Sequence, residues 1–282
     1  MRHSPAIQDG LEVRWIHGSP DCSLDTDPPL QVHAFDKDTY ILRQSKCTSF
    51  EAPFLYLLFG TDKALLLDTG DSSQRGQLPV RAVVQGILDQ WQAIHERPSL
   101  ELVVAHSHGH GDHVAGDDQF RGQPGTTLVE PGLAEVQSFF GFTRWPEESV
   151  DFDLGDRPLT LLPIPGHLDD HIGVYDSKTQ IFLSGDVFYP GFLYVTDVPA
   201  YRRSIARLLR FAADHPIRYF LGSHIEMTST KGLAYRSGTT YQPVEHGLEL
   251  FPRQLATLHS AIEEMGDDLA RRVFDDFILQ PR

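Results

Sequence analysis

Four histidines and an aspartate fall within eight residues: His106, His108, His110, Asp112 and His113, in the run H-S-H-G-H-G-D-H. The chain has only 14 histidines, and packing rarely demands such a concentration. Neutral imidazole and carboxylate are the nitrogen and oxygen donors that zinc, manganese and iron accept. The run follows residues 100–105, an apolar stretch that reads as a buried strand. Residues two apart at a strand end share a face, so His108 and His110 can reach one ion. Asp112 and His113 follow where Val114 and Ala115 turn toward a helix, so they are aimed at a second ion. Gly109 and Gly111 permit the bends between them. His106 is out of register, because a motif read from it needs an acid where His110 stands. It reads as a supporting or packing histidine.

One loop does not close such a site. Catalytic zinc usually keeps three protein ligands plus water, and two-metal sites share a carboxylate. Three later segments each put a ligand-type residue beside glycine after an apolar run: Pro165-Gly166-His167, Ser184-Gly185-Asp186 and Gly222-Ser223-His224. The fold must therefore bring several strand ends to one edge.

The apolar patterning supplies the strands. Residues 11–16, 31–35, 126–129, 149–152, 159–164, 172–175, 181–184 and 219–221 read as strands, and 54–59 with 64–67 reads as a hairpin. Residues 79–95 and 199–215 have helical spacing, 133–140 is a short helix, and the tail 248–265 is helical. No linker composition interrupts the chain. One domain over 1–282, two sheets with covering helices and a helical C-terminal extension at about 243–282, is the expectation.

Charge limits the partners. Lys plus Arg is 24 and Asp plus Glu is 39, a formal net charge of −15. Nucleic-acid backbones and anionic membranes both need a cationic surface, so neither is expected, and a small-molecule substrate is. Cys22 and Cys47 lack C-x-x-C spacing and read as isolated thiols of a reducing compartment. The start, Met1-Arg2-His3-Ser4-Pro5, lacks a signal-peptide apolar core, and no apolar run is long enough to span a bilayer. The cytoplasm is the expected location.

The order Asp68-Thr69-Gly70, Ser107-His108-Gly109-His110-Gly111-Asp112-His113, Pro165-Gly166-His167, Ser184-Gly185-Asp186 and Gly222-Ser223-His224 resembles the metallo-β-lactamase-fold superfamily. The resemblance implies an α/β fold, a four-layer αββα sandwich of two mixed sheets. It implies one divalent ion on His108, His110 and His167 and another on Asp112, His113 and His224. Asp186 would bridge them with a hydroxide, and Asp68 would be a buried acid that orients the ligand loop. Zinc is the default metal, with manganese and iron as alternatives.

Two cations sharing a water make hydroxide near neutral pH, so hydrolysis is the expected chemistry; the resemblance implies that Asp112 orders the nucleophile and shuttles a proton. An aspartate, not cysteine, at position 186 leans toward the glyoxalase II and lactonase-like branch, hence a carboxylic ester, lactone or thioester. In that branch Lys231 and Arg236 are candidates for holding glutathione. Tyr189 sits three residues after Asp186, as in acyl-homoserine lactonases, where a tyrosine polarises the substrate carbonyl; a core position is its other reading. Two aromatic groups, Phe139, Phe140, Phe142 and Trp145, and Phe188, Tyr189, Phe192 and Tyr194, would either line an apolar pocket or pack internally or in a homodimer contact. The loop 231–241 could form a rim of the site. His171, His246 and His259 read as structural or exposed. Competing functions are a mononuclear iron persulfide dioxygenase, a β-lactamase or phosphodiesterase, and a non-enzymatic metal-stabilised binding protein.

Overall fold

Strands covered on both faces read as unbroken apolar runs, and the run F-L-Y-L-L-F over Phe54–Phe59 is buried along its whole length. It lies inside the first of two six-stranded sheets in a computed structural model that describes residues 10–72, 76–266 and 268–282. The reading of residues 1–5 as lacking a signal core falls outside these residues.

The first sheet comprises β1 (Leu30–Asp36), β2 (Thr39–Gln44), β3 (Phe54–Phe59), β4 (Lys63–Leu67), β5 (Glu101–Ala105) and β6 (Thr126–Leu128), in that spatial order. The first four strands form an antiparallel meander. Helix α1 (Val80–Ile94) then crosses to β5, which is parallel to β4. Two short helices follow in this half, α2 (Gly111–Val114) and α3 (Leu133–Phe140).

The second half repeats the plan. β7 (Val150–Asp153), β8 (Pro158–Pro163), β9 (Ile172–Asp176) and β10 (Ile181–Gly185) form a meander. β11 (Phe192–Val195) leaves the sheet, α4 (Val198–Asp214) crosses over, and β12 (Tyr219–Gly222) returns parallel to β10. β13 (Glu249–Leu250) is the edge strand beyond β12. Helix α5 (Pro252–Met265) packs beside α4, and β14 (Arg272–Val273) and β15 (Ile278–Pro281) pair with β11 in a small third sheet.

Side-chain alternation builds the layers. Phe54, Tyr56 and Leu58 face Leu159, Leu161, Val174 and Leu183 in the core between the sheets. Leu55, Leu57 and Phe59 face Val84, Ile87, Leu88 and Trp91 of α1. Phe182 and Phe220 face Ile205 and Leu208 of α4 and Leu255 and Leu258 of α5. The order helix, sheet, sheet, helix is the expected αββα arrangement. Among the described residues no helix is long and apolar enough to cross a membrane.

Four expectations need correction. Residues 11–16 form no strand, because a side chain substitutes for the ladder: Ile16 N–H donates to Gln31 Oε1 at 2.8 Å, and Gln31 Nε2 donates to the Arg14 carbonyl. The tail is only partly helical. Pro252 opens α5, where its missing N–H is harmless, and the flanking residues pair as β13 to β15. Strands β2 and β11 escaped the apolar patterning, since Arg43 and Gln44 end β2 and the aromatics of β11 suggest a pocket loop. Finally, Cys22 and Cys47 are not isolated thiols: they form a disulfide with a Cα–Cα distance of 5.2 Å. Their sequence spacing conceals that residues 18–27 fold back along the loop after β2. The argument from cysteine for a reducing compartment therefore falls away.

Candidate metal centre

The ligand-type residues stand at the carboxyl ends of β4, β5, β8, β10 and β12, the edge created by the two parallel crossovers. Open α/β sheets commonly place sites at such edges. Gly166 is needed at the β8 end: its φ is +131°, and a Cβ there would lie 2.4 Å from the Cα of Tyr201.

Two sets of ligand atoms converge, His108, His110 and His167 in one and Asp112, His113, Asp186 and His224 in the other. Within each set the atoms lie within 4.8 Å of one another. Nε2 of His108 and of His167 approach Nδ1 of His110 at 2.9 and 3.0 Å. Asp186 joins the sets. Its Oδ2 is 4.0 Å from His108 Nε2 and 3.7 Å from His167 Nε2, while its Oδ1 is 3.6 Å from His113 Nε2 and 3.4 Å from His224 Nε2. Asp112 Oδ2 lies 3.3 Å from His224 Nε2 and 3.4 Å from His113 Nε2.

Acceptors behind the rings fix their tautomers. His113 Nδ1 donates to Asp68 Oδ2 at 2.9 Å, His167 Nδ1 to the Tyr194 carbonyl at 2.9 Å, and His224 Nδ1 to the Glu51 carbonyl at 3.0 Å. In each neutral ring Nε2 is then a lone pair aimed inward. Among the described residues, His113 Nε2, His224 Nε2 and Asp186 Oδ1 are buried with no hydrogen-bond partner. Burial of such atoms is costly unless something satisfies them, and a cation satisfies all three. The donor set fits divalent metal ions.

The charges agree. Burial, with the neighbouring imidazoles, holds His108 well below the ordinary histidine range. Burial also lowers His167. Burial works against a charged His224, but Asp186 and Asp112 outweigh it and raise the ring to about 9. His113 is raised in the same way, with burial overcome by Asp68, Asp186 and Asp112. Burial would raise Asp112 and Asp186, yet the facing histidines hold both well below the carboxylate range.

Asp68 is fully buried and accepts from Ser107 N–H at 2.7 Å as well as from His113. It braces the loop as expected. His106 stands apart, paired to Asp117 at 2.9 Å, and Asp117 also accepts from Thr69 Oγ1. Tyr189 takes the core position, the second of its two readings. Its hydroxyl is 2.6 Å from the Phe192 carbonyl and 2.9 Å from Glu226 Oε2, and the residue is 2% exposed. The hydroxyl is committed internally, and the ring packs edge-on to His224.

The aromatic groups mostly pack internally. Phe140 meets Phe152, Phe142 meets Trp145, Phe139 meets Phe140, and Phe188 is buried against Phe220 and Phe277. Phe192 stacks on Tyr194, which lies under the Arg282 guanidinium. Lys231 pairs with Asp275, and the loop around it is tied by isolated bridges from Met227 to Ala234 and from Gly18 to Tyr241. His246 pairs with Asp276. Sequence reading missed the Glu51 and Tyr194 carbonyls, which no side-chain pattern can reveal. It also missed Asp170, whose Oδ1 accepts from Gly109 N–H at 3.3 Å between two ligand histidines.

A two-sheet sandwich with this edge of histidines and aspartates defines a class. The model of the metallo-beta-lactamase superfamily matches residues 50–224, more than half of the chain, and the chain belongs to that family. Relatives include the hydroxyacylglutathione hydrolase of Rhizobium meliloti, 25% identical over 140 residues, covering 45% of this chain and 54% of the relative. The acyl-coenzyme A thioesterase MBLAC2 of Homo sapiens is 26% identical over 167 residues, covering 49% of this chain and 59% of the relative. The chain thus spans little more than half of the length of these relatives. In fold it is similar to the DIM-1 metallo-beta-lactamase, with a TM-score of 0.53 at 15% identity, covering 85% of this chain and 99% of the other.

Proposed function

We propose that the chain is a binuclear metal-dependent hydrolase of carboxylic thioesters, with esters and lactones as related substrates. The reading rests above all on Asp186, whose two oxygens face the two ligand sets separately. The thioester preference is supported by the relatives, a hydroxyacylglutathione hydrolase and an acyl-coenzyme A thioesterase.

His108, His110 and His167 would hold one ion, Asp112, His113 and His224 the other, and Asp186 both. Zinc suits this donor set best, with manganese and iron next. Bound ions supply Lewis acidity and a water that ionises near neutral pH. The chain does the rest. Asp68, Tyr194 and Glu51 keep the ring nitrogens oriented. Asp112, with a side chain 21% exposed, is the carboxylate of its set that meets solvent. It orients the attacking water and carries its proton to the departing thiolate.

The test is a hydrolysis panel of thioesters, lactones, esters, phosphodiesters and a β-lactam on protein loaded with defined metals, beside an oxygen-uptake assay. Thioester turnover that is lost in His110→Ala and Asp186→Ala is the expected result. Oxygen uptake on a persulfide without hydrolysis would replace the hydrolase by a dioxygenase. Inert protein carrying both ions would leave a metal-stabilised binding protein.

A further inference from the structure

His171 lies outside both ligand sets, yet it touches each of them. It is fully buried. Its ring stacks on His108 with centroids 4.7 Å apart and planes 11° from parallel. Its Nε2 is 3.1 Å from the backbone N–H of Asp186. A backbone N–H can only donate, so Nε2 must be the unprotonated nitrogen of the ring. The proton of the neutral ring is then on Nδ1, which is buried and has no hydrogen-bond partner among the described residues. A buried donor left without a partner is destabilising. A residue present only to fill space would be apolar and avoid the cost. The neighbouring backbone is shaped to the ring as well. Gly185 has φ +52°, and a Cβ there would lie 2.5 Å from His171 Cε1.

The segment around His171 is fixed independently of the ring. Ile172 N–H donates to the Ser107 carbonyl, and Ile164 N–H donates to the His171 carbonyl. The adjacent Asp170 holds Gly109 N–H. The imidazole therefore has a firm base on the loop that carries His108 and His110, and its acceptor reaches the turn that carries Asp186.

We propose that His171 is a positioning residue that sets Asp186 against the first ligand set, through its Nε2 acceptor and its stack on His108. It thereby controls whether one carboxylate can serve both sets. The inference builds on the binuclear reading above, and its test separates the two. His171→Phe keeps a ring of similar breadth and removes the acceptor. His171→Gln keeps an acceptor near the position of Nε2. Cobalt(II) is titrated into each metal-free protein and followed by optical absorption and by the magnetic coupling between paired ions.

In the parent two coupled ions are expected. In His171→Phe the second ion should bind at least about tenfold more weakly, within the range for lost supporting contacts, and the coupling should weaken. His171→Gln should restore much of both. Equal affinity and coupling in His171→Phe and the parent would overturn the role of His171 and leave the binuclear reading intact. A parent that never binds two ions would instead sink that reading. Nitrogen NMR of the metal-free parent adds a measurement independent of any variant's folding. The His171 ring should carry its proton on Nδ1, and a proton found on Nε2 would overturn the proposal.

Discussion

At the scale of single residues, the ligand sets depend on groups that stand behind them. Asp68 holds both the Ser107 backbone and the His113 ring. Asp68→Asn keeps the shape and removes the charge, and it should weaken metal affinity about 10–100-fold, read by competition with a chelator. His224 gives a pH signature. In the metal-free protein its pKa is raised to about 9, with burial outweighed by Asp186 and Asp112. A raised histidine stabilises the fold fully below its unfolded pKa of about 6.5 and loses that contribution as pH rises through about 9. Metal needs the neutral ring, so loading at pH 7.5 should release protons. An indicator dye in weakly buffered solution would detect them, and release should shrink above about pH 9. Release that did not change across this range would contradict the raised His224.

At the scale of elements, the two sheets are fastened at the end remote from the metal centre by Arg157. Its Nη1 donates to the carbonyls of Asp38 and Phe59 at 2.6 and 3.0 Å. Its Nη2 donates to Thr39 Oγ1 at 2.7 Å and to Asp176 Oδ2 at 2.6 Å. Both members of the ion pair are 1% exposed. Arg157→Leu strands a buried carboxylate and two carbonyls, so it should cost about 3–5 kcal/mol of folding stability, measured by urea denaturation. The metal titration of the surviving folded fraction should be unchanged, because Arg157 touches no ligand loop. An unchanged denaturation midpoint would show that the sheets hold together without this fastening.

At the scale of the whole molecule, the Cys22–Cys47 disulfide ties the segment before β1 to the loop that also carries Glu51. The bridge closes a separation of 25 residues, and loop-closure entropy gives such a link about 3 kcal/mol. Reduction by a dithiol should lower the denaturation midpoint accordingly, and Cys22→Ser should match the reduced parent. A midpoint indifferent to reductant would mean that this segment unfolds separately from the sandwich.

Much of this molecule was legible before its structure. The apolar runs of β3, β4, β5, β9 and β10 and the spacing of α1 and α4 announce themselves, because burial on one or two faces imposes a period on the residues. The histidine-aspartate run and the three glycine-flanked ligand positions are legible for a similar reason: metal chemistry admits few residue types. Long-range partners are not encoded in any local period. Gln31 replacing a strand, Cys22 meeting Cys47, Tyr189 turning to Glu226 and His171 reaching Asp186 each depend on what the folded chain brings alongside. The sequence alone determined which atoms could grip metal and in what order along the chain. Only the tertiary structure decided which backbone carbonyls aim those atoms and how one carboxylate faces both sets, since such contacts join residues far apart in sequence and exist only once the sheets have packed.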